Sequence, residues 1–216
     1  IEGTKYDENG EIIEVVNLKN NYLNYYDKKY EEKEDDNYIL IEEGFFSFDK
    51  LNGEGKRYYY YDNEEDEHNN GKIWKEGIFK DGVLIEGKIY NENGIVRKEG
   101  IFKDGVLTED GVLIEGIINY KSGIVWKKGF FKDDKLNGEG IMFYENQQVM
   151  KEGIFKDDRL NGKGIWYYNN GTVFMKDNFK DDKLDGKGTR YYQNGNVWKK
   201  GTFKDGKLNG EGIVCY

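Results

Sequence analysis

One phrase recurs through this chain, and it limits the fold more than anything else in it. Phe131-Lys-Asp-Asp-Lys-Leu136-Asn-Gly138-Glu-Gly140 returns as Phe155 through Gly164, as Phe179 through Gly188 and as Phe203 through Gly212, always 24 residues further on. A fixed period of this size marks a repeat array, in which each unit buries its apolar surface only against its neighbours. The array reads as one domain over 1–216, with a partial repeat at 1–16, an insertion at 17–40 and a repeat with an acidic insertion at 41–70. Repeats then follow at 71–94, 95–123, 124–147, 148–171, 172–195 and 196–216.

Within each unit the residue types are those of strands. Proline and alanine are both absent, while Gly reaches 29 and Tyr 18. That disfavours helices and favours strands joined by Asn/Gly turns. Two turns divide each unit. One follows Phe-Lys, as Asp181-Asp182 and Asp205-Gly206; the other is Asn-Gly, as Asn93-Gly94, Asn170-Gly171 and Asn194-Gly195. Asn-Gly between apolar runs is a strong signal for a two-residue type I′ hairpin, whose central residues both need positive φ. That register sets Gly162 opposite Phe179, Gly164 opposite Asp177, Gly186 opposite Phe203, Tyr167 opposite Phe174 and Tyr191 opposite Trp198. The Asp turn sets Phe179 opposite Leu184. The expected fold is all-β: an elongated single-layer antiparallel β-meander of hairpin repeats, lengthening by roughly 10 Å per two-stranded repeat. Alternation puts Val173, Phe179, Leu184 and Tyr192 on one face, and Phe174, Ile165 and Tyr167 on the other.

The unit Gly129-Phe-Phe-Lys-Asp-Asp-Lys-Leu-Asn-Gly-Glu-Gly-Ile-Met-Phe-Tyr, with the Asn-Gly turn that closes the next hairpin at Tyr168 to Gly171, resembles the MORN repeat. The resemblance covers 41–61 and 71–216, with 1–16 as a fragment. It is nearest to the shorter, Lys/Asn-rich bacterial variant, some of whose members carry antitoxin-type or cell-envelope labels. It implies an elongated scaffold or interaction surface, and some members of the family are credited with phospholipid binding. It further implies a bacterial protein, secreted or in the cell envelope, with the cytoplasm as the alternative.

No constellation for catalysis stands out, and the expectation is a non-enzymatic chain with no cofactor. His68 is the only histidine and sits among Asp62, Glu64, Glu65, Asp66 and Glu67. That cluster lacks the ligand spacing of a calcium loop, and a lone histidine lacks the partners of zinc or acid–base sites. Cys215 is the only cysteine and aligns with Phe143, Tyr167 and Tyr191, which are packing positions. The Gly-x-Gly pairs lie on strands with no helix after them, unlike a phosphate loop. The net charge of −9 argues against nucleic acid as a partner, and no apolar run is long enough for a transmembrane segment. Asp133-Asp134, Asp157-Asp158 and Asp181-Asp182 form an acidic rim, read first as solvated turns and second as a rail for a basic partner.

The candidate binding surface is an aromatic strip of Trp74, Trp126, Tyr167, Phe174, Tyr191 and Trp198. Such rings either stabilise a thin sheet as cross-strand pairs or offer an apolar strip to a partner. The expected function is a scaffold that binds a protein through this strip. The alternative is a cell-surface protein that binds glycan or lipid with the same rings. Strand edges left open at the ends of the array predict end-to-end self-association.

Overall fold

A computed structural model describes residues 2–6, 12–17, 25–32, 38–60, 70–103 and 112–216. The acids at Asp62 to Glu67 with His68 lie outside the described residues, as do 18–24 and 33–37 of the insertion and residues 104–111. The chain forms two compact units, Ile1–Gly111 and Val112–Tyr216. Every described element is a strand, so the expected all-β antiparallel meander holds within each unit.

In the first unit β1 (Glu2–Tyr6) pairs with β2 (Ile12–Asn17). The strands β3 (Tyr25–Glu32), β4 (Tyr38–Ser47), β5 (Lys50–Tyr58), β6 (Ile73–Lys80), β7 (Val83–Tyr90) and β8 (Val96–Lys103) then pair in chain order. The second unit runs the same way through β9 (Val112–Asn119), β10 (Val125–Lys132), β11 (Lys135–Phe143), β12 (Val149–Lys156) and β13 (Arg159–Tyr167). It ends with β14 (Val173–Lys180), β15 (Lys183–Tyr191), β16 (Val197–Lys204) and β17 (Lys207–Val214).

Directly paired residues share a face of the sheet. Phe131 pairs with Leu136 and Lys127 with Met142, which defines a core face. Phe131, Leu136, Met142, Phe155, Leu160, Met175, Phe179 and Leu184 are all buried there. Lys128 pairs with Ile141, Glu139 with Ile154, and Ile141 with Glu152, which defines the other, open face. Between them runs a row of paired glycines: Gly129 with Gly140, Gly140 with Gly153, and Gly153 with Gly164. A Cβ on Gly153 would lie 2.4 Å from the Lys163 carbonyl oxygen, so the strands approach as closely as they do only because the side chain is missing. A Cβ on Gly140 would meet Leu136 Cδ2 at 2.8 Å; the leucine folds into the space the glycine leaves.

The expected pairs Gly162 with Phe179, Gly164 with Asp177, Gly186 with Phe203 and Phe179 with Leu184 are all present. Near the Asn-Gly loops the register differs by one. Tyr167 pairs with Val173 and Tyr191 with Val197, leaving Phe174 and Trp198 as bulged residues. The loop itself gives the reason. Gly171 N–H donates to Tyr168 O and Tyr168 N–H to Thr172 O, with Gly171 at φ +83° and Asn170 outside the positive-φ region. This is a three-residue loop with its glycine in the left-handed position, where the expected two-residue form would need both central residues there. The Asn170 side chain closes it by accepting from Thr172 N–H at 3.1 Å. The Asp turns are the ones with two left-handed residues: Asp133 and Asp134 sit at φ 51° and 58°.

Candidate functional site

The one-residue bulge decides where the aromatic strip goes. A bulged side chain is re-aimed relative to simple alternation, and Phe174 turns onto the core face. Its ring lies 5.9 Å from that of Trp166 and 4.8 Å from that of Tyr168, and Trp166 pairs with buried Met175. Trp74, Trp126 and Trp198 follow, each beside the tyrosine just past the end of the preceding strand. Trp74 meets Tyr59 at 5.9 Å, Trp126 meets Tyr120 at 5.6 Å, and Trp198 meets Tyr192 at 5.6 Å. Ammonium groups cover these rings, with Lys75 and Lys127 each 4.0 Å from their tryptophan and Lys199 at 4.6 Å.

Tyr167 and Tyr191 lie on the opposite, open face. Tyr167 donates its hydroxyl to Glu152 at 2.6 Å, and burial followed by that carboxylate raises its pKa to about 12. Tyr58 and Tyr90 make the same contact with Glu43 and Glu76. Lys176 stands 5.5 Å over the Tyr191 ring. Within the second unit the residues read as one strip are thus divided between two faces, Trp126, Phe174 and Trp198 against Tyr167 and Tyr191, because a bulge in each hairpin shifts parity.

The core-face tyrosines tie one repeat to the next. The hydroxyls of Tyr120, Tyr144, Tyr168 and Tyr192 donate to the carbonyls of Phe143, Tyr167, Tyr191 and Cys215 at 2.8–3.0 Å. At the other end of the strands the Asp turns do the same. Asp158 accepts from Leu136 N–H at 2.8 Å with one oxygen and binds Lys127 Nζ at 2.7 Å with the other. Asp182 repeats the arrangement with Leu160 N–H at 2.9 Å and Lys151 Nζ at 2.8 Å. Lys127 is only 3% exposed, so these carboxylates neutralise buried cations inside the sheet and are not free to act as a rail. The sequence carried a sign of this. Where the turn residue is Gly206 in place of the second Asp, the lysine position holds Met175.

On the open face the surface is of a different kind. Phe130 is 44% exposed and Ile154 37%. With Ile141 and the floor of Gly129, Gly140 and Gly153 they line a shallow trough of about 490 Å³ in the second unit. The first unit has a trough of about 450 Å³ lined by Tyr26, Phe45 and Ile78 over Gly44, Gly55 and Gly77. Sequence reasoning passed over Phe130 and Ile154. Their signal was present: both stand between the glycine and the buried Phe of the repeat, on the side alternation points away from the core.

The MORN repeat family model matches residues 43–60, 128–149, 152–173 and 200–216, and that of the MORN repeat variant matches 184–205. These segments carry the glycine row, the buried Phe and Leu, and both turns of the hairpins just described. The chain belongs to the MORN repeat family. MORN repeats are a non-catalytic family of protein- and membrane-interaction repeats. No curated protein matches the chain. No helix among the described residues is long and apolar enough to cross a membrane.

Charge is unevenly spread over this MORN array. Residues 1–111 hold 15 Lys/Arg against 28 Asp/Glu, a net −13, while residues 112–216 hold 18 against 14, a net +4. The chain's total of −9 therefore describes neither unit, and the second presents a net positive field to an approaching partner.

Proposed function

We propose that the chain is a protein-binding MORN module whose partner lies on the open face of the second unit, in its glycine-floored trough. The observation that carries this reading is the exposure of Phe130 and Ile154 over a floor of glycines. Their apolar surface sits in a concavity where backbone can be approached closely. Around it Lys128, Glu139 and Glu152 supply charges of both signs. An apolar centre with a mixed-charge rim suits a polypeptide segment, whose side chains supply both kinds of contact. The glycan or lipid alternative draws on the tryptophan rings, and it is weakened by Lys127 and Lys199 already standing over Trp126 and Trp198.

The test is site-specific photo-crosslinking in the source cells, with a photoreactive phenylalanine at position 130 in one strain and at 126 in another. A single protein captured from position 130 should then lose binding to purified Phe130→Glu protein whose circular dichroism is unchanged. Capture from position 126 alone, or binding that survives Phe130→Glu, would refute the open face as the interface.

A further inference from the structure

Two rows of paired side chains cross the open face of the second unit, and both change character between β12 and β14. One row pairs Glu115 with Phe130 and Glu139 with Ile154, then Lys163 with Asn178 and Lys187 with Thr202. Carboxylates have given way to ammonium groups, and apolar side chains to polar ones. The other row runs Ile141, Glu152 and Ile165, then Lys176, Thr189 and Lys200. Gly138 pairs with Phe155 before the change as Gly162 pairs with Phe179 after it, so the backbone register does not require it.

Lys163, Lys187 and Lys200 are exposed, and among the described residues none of the three is ion-paired. Lys176 is half-buried, its ammonium 5.5 Å over the Tyr191 ring. The carboxylate beside them, Asp177, accepts from the Thr189 hydroxyl at 3.4 Å. Four lysines against one aspartate leave this part of the face positively charged. A trough of about 390 Å³ lies here, lined by Lys163, Lys176 and Asn178. It meets the trough of Phe130 and Ile154 at Glu152 and Gly153, which line both.

We infer that the polypeptide seated on Phe130 and Ile154 carries carboxylates on one side of its apolar anchor, and that these lie over Lys163, Lys176 and Lys187. The inference rests on the open-face reading above and adds the partner's chemistry to it. Strands about 4.8 Å apart put these lysines roughly 5–14 Å beyond Ile154, the reach of about two to four extended residues. Charge complementarity selects an acidic segment there. Glu115, Glu139 and Glu152, around the apolar trough, oppose a uniformly anionic partner such as a phosphate backbone or a bilayer surface. A polypeptide can change its charge within a few residues, as this face does.

The test displays random peptides of about 12 residues, enough to cross this face in extended form. They are selected on the full chain, on Phe130→Glu and on the double variant Lys163→Glu, Lys187→Glu. The double variant installs the residue that Glu139 and Glu211 provide at the same position of neighbouring repeats, so the strands accept it. Peptides enriched on the full chain should be lost on Phe130→Glu. They should carry a large apolar residue with Asp or Glu within about four positions on one side. A synthetic copy should bind the double variant roughly tenfold or more weakly, and should bind the full chain more weakly as salt rises. Peptides that need Phe130 but show no acidic excess, or that bind the double variant unchanged, would overturn this inference and leave the trough reading standing. Peptides indifferent to Phe130→Glu would overturn the trough reading itself, and a library that enriches nothing would overturn the acidic segment. Sedimentation of the chain with phosphatidylcholine–phosphatidylserine vesicles, abolished in the double variant, would assign the lysines to a membrane instead.

Discussion

Replacing Asp158 by Gly removes the carboxylate that sits between repeats, and the expected loss is about 2–3 kcal/mol. Breaking a buried ion pair from one side typically costs about 3–5 kcal/mol, because the remaining charge has no partner. Lys127 is 3% exposed and Asp158 26%, so the cation is the group that suffers. Two features reduce the loss. Lys127 keeps the Trp126 ring at 4.0 Å and the Asp134 carbonyl at 3.3 Å. Glycine also relieves the left-handed backbone of Asp158 at φ 67°, worth roughly 1 kcal/mol. Lys127→Met alone should cost about 1 kcal/mol, since Asp158 stays partly solvated and still accepts from Leu136 N–H. The double variant recreates the Met175 and Gly206 pairing the chain already contains, and it too should cost only about 1 kcal/mol, giving a coupling of about 2–3 kcal/mol. Urea unfolding followed by tryptophan fluorescence and circular dichroism measures this, with coincident curves required because repeat arrays can unfold in parts. Single-variant losses that simply add, within about 0.5 kcal/mol, would refute the claim that Asp158 is there to neutralise Lys127.

Asp177 occupies a glycine-row position at φ 101°, a region that only glycine adopts without strain, so Asp177→Gly should stabilise the second unit by about 1–3 kcal/mol. Its hydrogen bond from the Thr189 hydroxyl at 3.4 Å is too long to offset that, and a urea midpoint that falls would contradict the strain argument. Tyr167 ionises near 12 in the folded chain against about 10 when unfolded. Its neutral form is therefore favoured by folding, a contribution fully present below pH 10 and lost as pH rises toward 12. Difference titration of phenolate absorbance between wild type and Tyr167→Phe should place the missing step near pH 12, and a step near pH 10 would show that neither the burial nor the Glu152 contact holds the phenol neutral.

The parts of the fold legible in the sequence are those fixed by neighbours in the chain or by the repeat itself. Phe179 opposite Leu184 follows from a two-residue Asp turn, and Gly162 opposite Phe179 from the next hairpin. The close approach of adjacent strands leaves only 2.4 Å for a Cβ at Gly153, and the recurrence of glycine at fixed spacing, broken in the second unit by the strained Asp177, carried that message without coordinates. The site was only half legible. Trp126, Phe174 and Trp198 share the core face of the second unit, but Tyr167 and Tyr191 do not join them, because Asn170-Gly171 closes a three-residue loop and shifts the last pair by one. In a strand of period two, that single residue sends a side chain to the other face. The sequence by itself therefore determined the meander, its period, its turns and its glycine row. Only the tertiary structure decided which face each ring occupies and that Asp158 reaches back to Lys127 across 31 positions of chain. Those outcomes depend on which side chains the stacking of repeats brings together, and local pattern does not contain that distance.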